Sequence, residues 1–193
     1  MRNGEPFPAP ADGLNAQRRT CRNREGEKRR FVMRYCEITP EDDRALAEII
    51  RSSLEKHGLD IPGTAYFDES LDHLSAYYLA DRGKRFYCVA RDEADEVAGG
   101  IGLAELDLFP DCAELQKLYL AESARGSGTG YRLIALIEDK ARELGYRRIY
   151  LETHSNLAAA IHIYEKSGYR EIARPEGAVH SAMDRFFLKE LYR

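Results

Sequence analysis

The chain has 193 residues, of which 44% are hydrophobic and 32% are charged. This composition excludes a collagen-like or a wholly disordered chain, and no apolar run reaches the roughly 18 residues that a membrane span needs. The formal net charge of −4 and the pI of about 5.8 argue against a general nucleic-acid-binding surface, and the length predicts one domain plus a surplus.

The surplus is a basic N-terminal segment, residues 1–32. It holds eight Lys or Arg residues against four acidic ones, so the remaining chain carries a net charge of −8. The segment shows neither a helical nor a strand period, which predicts a disordered tail. Its basic run could touch RNA, but Glu25 and Glu27 interrupt the run and charge blocks are usually solvated. We expect no nucleic-acid partner, and whether the tail is functional or Met33 is the natural start stays open.

The cysteines predict neither a metal site nor a disulfide framework. They lie at positions 21, 36, 88 and 112 with no CxxC pair, and His162 is not spaced with them as a zinc ligand. The first 20 residues carry three prolines where a secretory signal would have its apolar stretch. We therefore expect a cytoplasmic protein with reduced thiols, no metal and no membrane partner.

The rest of the chain, residues 33–193, predicts strands and helices that alternate around a mixed sheet, an α/β fold. The first half predicts a strand at 31–38, a helix from Thr39 and Pro40 to Gly58, a loop at 59–68, a helix at 69–79 and a hairpin of strands at 85–91 and 97–106. The second half predicts a strand at 113–120, a helix at 128–144, a strand at 147–153, a helix from Leu157 to Gly168 and a last strand at 182–191, a candidate partner for 169–173.

The densest functional signal is a glycine-rich hexapeptide between a predicted strand and a predicted helix: Arg125, Gly126, Ser127, Gly128, Thr129 and Gly130. Glycines let a backbone approach an anion closely, and a helix N-terminus adds partial positive charge. A Walker loop is excluded because Tyr131 and Arg132 follow, and a Rossmann fingerprint would need glycine at position 131. A glycine turn without a ligand stays an alternative.

In this context the pattern Arg125-x-x-Gly128-x-Gly130 resembles the glycine-containing loop of the GNAT N-acetyltransferase superfamily, in particular that of its small bacterial-type members. The similarity extends in order over residues 114–120, 151–153 and 156–169. The resemblance implies the acyl-CoA N-acyltransferase fold, with a mostly antiparallel central sheet flanked by helices. It also implies that residues 33–193 form an acetyl-CoA-dependent N-acetyltransferase domain.

The resemblance assigns roles to individual residues. The hexapeptide would surround the pyrophosphate of acetyl-CoA, and the backbone of Leu118, Tyr119 and Leu120 would hold the pantetheine arm and acetyl carbonyl beside a break in the sheet. Asn156 would contact the cofactor or cap the following helix. Tyr164 would be the general acid, unless it is only a core aromatic.

The general base is less determined. Glu114 matches a glutamate that some members use, whereas others deprotonate the amine through water; Glu152, His154 and His162 are alternatives. Side chains alternate along a strand, so Gln116 and Leu118 should lie on one face and Lys117 and Tyr119 on the other. At most one of these two pairs can face the acceptor.

The expected acceptor is a primary amine of a small molecule, with a protein amine as the alternative, attacked directly in a ternary complex. Acids at positions 60, 68, 69 and 72 and the net charge of −8 favour a cationic acceptor, although a solvated acidic loop explains them equally well. A non-catalytic acyl-CoA sensor on the same fold is the other functional class. The sequence leaves a homodimer open.

Overall fold

The computed structural model of the chain describes residues 19–22, 28–178 and 181–192. Two short strands, β1 (Arg19–Arg22) and β2 (Lys28–Phe31), pair antiparallel in a separate two-stranded sheet. The sequence predicted no strand there, because the segments RTCR and KRRF show no alternation of apolar and polar residues. Residues 1–18 and 23–27 lie outside the described residues, so the disorder predicted for them stays a prediction.

The main sheet has seven strands. They are β3 (Arg34–Glu37), β4 (Phe86–Arg91), β5 (Val97–Leu106), β6 (Cys112–Leu120), β7 (Arg148–Thr153), β8 (Arg170–Ile172) and β9 (Arg185–Glu190). Their order is β3-β4-β5-β6-β7-β9-β8, and every neighbouring pair is antiparallel except β6 and β7. The mixed sheet that the sequence predicted and the mostly antiparallel arrangement that the resemblance implied are confirmed, as is the pairing of β8 with β9.

In the part of the chain that the structure describes, four helices flank the sheet: α1 (Asp43–Lys56), α2 (Leu74–Leu79), α3 (Thr129–Glu143) and α4 (Ala158–Lys166). A 3-10 turn at Pro40–Asp42 precedes α1, and the Asp42 carboxylate accepts a hydrogen bond from the Thr39 backbone N–H (2.8 Å). Helix α2 is shorter than predicted, because His73 leaves the helical region (φ −141°) after a 3-10 turn. No helix in the described part of the chain is long and apolar enough to cross a membrane.

The sheet divides the core in two. On one face α3 and α4 pack against it, and the cluster there includes Leu133, Ile137 and Leu151, all fully buried. On the other face α1 and α2 pack around Tyr78 and Tyr87. Because side chains alternate along a strand, β4 supplies both of these cores, whereas Tyr150 of β7 and Phe186 of β9 point away from the α3 and α4 face into a separate cluster with Cys112.

The central feature of the sheet is a split between β6 and β7. The two strands share three register pairs, Cys112 with Arg148 through Glu114 with Tyr150. Beyond that point β6 continues to Leu120 and β7 to Thr153 without pairing to each other. Because the two strands are paired at one end and form no backbone hydrogen bonds to each other at the other end, a wedge of space lies between them.

A bulge in β6 lies beside this wedge. The register with β5 shifts between Gly100 and Gly102, and Lys117 adopts a positive φ of 51°, which is uncommon for a residue other than glycine. The predicted strict alternation of residues 116–119 is therefore wrong. Gln116, Lys117 and Tyr119 all contact elements on the α1 and α2 face.

Candidate active site

A cavity of about 580 Å³ occupies the split between β6 and β7. Ser53 and Leu54 of α1 line it on one side of the sheet, and Ala160, Ile163 and Tyr164 of α4 line it on the other. The cavity thus passes through the sheet and is bordered by both cores. Its volume is within the range of about 300–1,000 Å³ typical of small-molecule sites.

The glycine-rich loop forms one end of the cavity. Gly126 (φ +72°) and Gly128 (φ +87°) take the left-handed conformation that other residues adopt only with strain. Gly128 is the N-cap of α3 and lines the cavity, so the first N–H groups of that helix, which have no partner within the helix, start beside the cavity. Ser127 braces the turn: its Oγ donates to the Ala124 carbonyl oxygen (2.6 Å) and bonds Thr129 Oγ1 (2.7 Å).

Arg125 joins this loop to the rest of the cavity wall. Its Nε donates to the Leu120 carbonyl oxygen (3.2 Å), and its Nη2 donates to Ser53 Oγ (3.3 Å). A Cβ at Gly130 would lie 3.0 Å from Ile163 Cδ1, so α3 and α4 approach closely there. The guanidinium, the loop N–H groups and the helix end make a donor set that fits a pyrophosphate.

The loop and strand residues predicted for the cofactor come together, with one exception. Those lining the cavity are Leu118, Tyr119, Leu120, Arg125, Gly126, Ser127, Gly128 and Gly130. Thr129 is the exception, because its side chain is buried and does not line the cavity, although its backbone belongs to the loop. The Lys117 carbonyl oxygen accepts a hydrogen bond from the buried Tyr87 hydroxyl (3.2 Å), which fixes the bulge next to the cavity.

Tyr164 is both a core aromatic and a cavity residue. It is 5% exposed, its ring centroid lies 6.0 Å from that of Tyr169 and 6.2 Å from that of Phe187, and it lines the cavity. Burial raises the pKa of its hydroxyl, and neighbouring Tyr119 adds to the shift. The hydroxyl therefore stays protonated at neutral pH.

The carboxylates separate into two environments. Glu114 is 7% exposed, accepts a hydrogen bond from Gln116 Nε2 (2.5 Å) and does not line the cavity. Glu152 lines the cavity and accepts a hydrogen bond from the Tyr150 hydroxyl (3.1 Å). The structure thus brings Tyr164 and Glu152 to one cavity and holds Glu114 behind its wall.

The other predicted polar residues lie outside the cavity lining. His154 Nδ1 accepts from the backbone N–H of Asn156 (3.1 Å), and His162 is exposed on α4. Asn156 does not cap α4, whose N-cap is Leu157; its Nδ2 donates to the His57 carbonyl oxygen (2.9 Å) at the C-terminal end of α1. Asn156 therefore holds the β7–α4 loop against α1.

The acidic segment before α2 is paired rather than open. Asp68 forms an ion pair with Lys117, and Asp72 holds Arg51 in a bidentate pair with both contacts at 2.7 Å. The Arg51 hydrogen bonds lower the pKa of Asp72. Two of the four acids that suggested a cationic acceptor are thus already neutralised by the protein itself.

Sequence reasoning missed several cavity residues: Ser53, Leu54, His57, Tyr131 and Met183. Tyr131 directly follows the glycine loop, whereas the other four come from helices or loops remote from it in the chain, and no local pattern marks them. Among the described residues, no group of three or more His, Cys, Asp or Glu side chains could hold a metal ion.

Comparison with known proteins agrees with this geometry. A family model described as "Acetyltransferase (GNAT) family" matches residues 33–169. The uncharacterized N-acetyltransferase YjgM of Escherichia coli is 36% identical over 137 residues, which cover 70% of this chain and 80% of that protein.

Solved structures share the fold. A GNAT-family acetyltransferase from Staphylococcus aureus superposes with a TM-score of 0.74 at 22% identity, over 83% of this chain and all of that one. A GNAT-superfamily phosphinothricin acetyltransferase from Sinorhizobium meliloti, in complex with acetyl-CoA, gives a TM-score of 0.65 at 20% identity, over 82% and 88% of the two chains. The chain belongs to the GNAT acetyltransferase family and is an acyltransferase of that family.

Proposed function

We propose that the protein transfers the acetyl group of acetyl-CoA to a primary amine of a small molecule, by direct attack within a ternary complex. The observation that carries the proposal is the cavity through the split sheet, which ends at an anion-binding loop and contains a protonated tyrosine. The Sinorhizobium meliloti enzyme, which shares the fold, binds acetyl-CoA.

The residues at each end of the cavity supply different parts of the reaction. Arg125 and the N–H groups of residues 126–130 would hold the pyrophosphate. The unpaired edge of β6, at Leu118–Leu120, would hold the pantetheine arm and the acetyl carbonyl by backbone hydrogen bonds. Asn156 would contact the cofactor after a movement of the β7–α4 loop, because in this structure its side-chain amide donates a hydrogen bond to the His57 carbonyl oxygen.

The chemistry needs a nucleophile, a proton acceptor and a proton donor. Bound acetyl-CoA supplies the activated thioester. The amine nitrogen forms a bond to the thioester carbonyl carbon, the C–S bond breaks, and the departing thiolate takes the proton of the Tyr164 hydroxyl. The nitrogen gives up its proton to a carboxylate or water, with Glu114 and Glu152 as the candidate carboxylates.

We further propose that the acceptor is cationic and that the reaction takes place in the cytoplasm. The net charge of −8 on residues 33–193 supports long-range attraction of a cation. The pairing of Asp68 and Asp72 means that the segment before α2 contributes less to this attraction than its composition suggests.

The test is acetyl-CoA-dependent thiol release with a panel of amines. We expect Tyr164→Phe to lower kcat by about 10²- to 10⁴-fold, the usual contribution of a positioned proton donor, while CoA affinity is kept. Tyr192→Phe is the matched control, because Tyr192 is exposed and its hydroxyl lies 3.5 Å from the Arg142 carbonyl oxygen, outside the cavity lining. Acetyl-CoA binding without thiol release from any amine would identify a sensor and refute the transferase.

A further inference from the structure

We propose that Glu152 is the residue that binds the acceptor amine and takes the N–H proton as the amide forms. The inference rests on the proposed function and names the acceptor-binding group of that same site. It makes a cationic primary amine the substrate class. Glu114 then has a supporting role behind the wall of the site.

The first argument is the position of Glu152 relative to the split. The last register pair between β6 and β7 joins Glu114 to Tyr150. Side chains on one face of a strand recur every second residue, so Glu152 is the next β7 side chain on the face of Tyr150. It therefore stands where the strands part, and it lines the cavity, whereas Glu114 still lies in the paired part of the sheet.

The second argument is the face from which Glu152 enters. Tyr150 packs with Cys112 and Phe186, and Met183 packs against the same cluster. The Tyr150 hydroxyl donates to Glu152 Oε1 (3.1 Å), which places the Glu152 carboxylate on that face, beside the cavity residue Met183. Tyr164 belongs to the opposite core. A proton acceptor and a proton donor thus border the cavity from opposite sides of the sheet.

The third argument is charge. Among the described residues that line the cavity, Glu152 is the one carboxylate. An ammonium that leaves water needs a compensating negative charge nearby. Glu152 can supply that charge at the split, while the thioether of Met183 offers an apolar surface for the carbon next to the amine.

The fourth argument is the contrasting environment of Glu114. The Tyr78 hydroxyl donates to Gln116 Oε1 (2.8 Å), and Gln116 Nε2 donates to Glu114 Oε2 (2.5 Å). Gln116 lies nearer to the split than Glu114 along β6, so it stands between Glu114 and the open part of the wedge. This chain of hydrogen bonds ties α2 to β6 and holds the bulged strand in place.

The proton balance of the step is as follows. The bound ammonium first loses one proton to solvent, giving a neutral amine with a free lone pair. As the new C–N bond forms and the C–S bond breaks, the nitrogen passes a second proton to Glu152, and the thiolate takes one from Tyr164. Solvent then returns a proton to Tyr164 and removes one from Glu152, so that both groups regain their starting states.

The experiment compares Glu152→Gln, Glu152→Asp, Glu114→Gln and the control Glu165→Gln, an exposed glutamate of α4 one residue after Tyr164. For each full-length variant we would measure CoA affinity by calorimetry, the melting temperature, and kcat and KM for the best amine of the panel. We expect Glu152→Gln to keep CoA affinity and to lower kcat/KM for the amine by about 10²- to 10⁴-fold. Glu152→Asp should restore part of this loss, and Glu165→Gln should behave as the wild type.

The possible outcomes separate the two proposals. Unchanged kcat/KM for the amine in Glu152→Gln overturns the inference, and it does so most clearly if Glu114→Gln loses activity at an unchanged melting temperature. Loss of CoA affinity in Glu152→Gln also overturns it, because the carboxylate would then serve the cofactor. Absence of thiol release in the wild type, with every amine, refutes the proposed function itself.

Discussion

The substitution Gly126→Ala tests whether the glycine loop is shaped for an anion. Gly126 has φ +72°, and a Cβ added there would meet no atom within 4 Å, so the only penalty is conformational. A left-handed conformation costs an L-residue about 1–2 kcal/mol. If the alanine relaxes to negative φ in the free protein, CoA must restore the original conformation, which would weaken binding by about 5- to 30-fold.

Gly145→Ala is the matched control for this substitution. Gly145 follows α3 with φ +88°, and a Cβ there would also meet nothing within 4 Å, but the residue does not line the cavity. Gly145→Ala should lose about 1–2 kcal/mol of stability, or a few degrees of melting temperature, measured by thermal unfolding, whereas Gly126→Ala should lose less, because its loop relaxes in the free protein. Calorimetry with CoA should separate them. Equal CoA affinities for the two variants would refute the assignment of the loop.

Two further predictions concern groups outside the cavity. Burial raises the pKa of the Cys88 and Cys112 thiols to about 12, so on the order of one molecule in ten thousand carries either thiolate at pH 8. Ellman's reagent should therefore leave both unreacted until guanidinium unfolds the protein, and fast reaction of four thiols in the native state would contradict this. Arg91→Met removes the ion-pair partner of the fully buried Asp42, so the free energy of unfolding, measured in urea, should fall by about 3 kcal/mol. A fall of less than 1 kcal/mol would mean that the hydrogen bonds from Thr39 alone satisfy the Asp42 carboxylate.

The parts of the site that could be predicted are local in sequence. The glycine loop and the start of α3 are adjacent, so spacing alone places N–H groups at a helix end beside Arg125. The fold class follows from the alternation of strands and helices, and both ends of α3 lie within one residue of the predicted bounds. Tyr164 lies in a helix that the sequence predicted, but the helix pattern alone does not show that Tyr164 lines the cavity.

The parts that could not be predicted depend on pairing between distant strands. The bulge at Lys117 exists because β5 and β6 change register there, and alternation along β6 alone gives no sign of it. The end of the β6–β7 ladder decides that Glu152 reaches the cavity and Glu114 does not. Composition also misled in one respect, because Asp68 and Asp72 look available in the sequence and are paired in the structure.

The one parallel pair of the sheet explains why the cofactor loop and the split occur together. Parallel neighbours need a crossover connection, and the connection from β6 to β7 is the glycine loop followed by α3. The N-terminus of α3 must then start near the C-terminal end of β6, which is the end where β6 and β7 have separated. In the proposed function, the same two strands would therefore position an anion at the helix end and a thioester in the wedge. This arrangement would let residues 33–193, with a net charge of −8, bind a polyanion, because a few backbone dipoles and one arginine act at close range where the net charge does not.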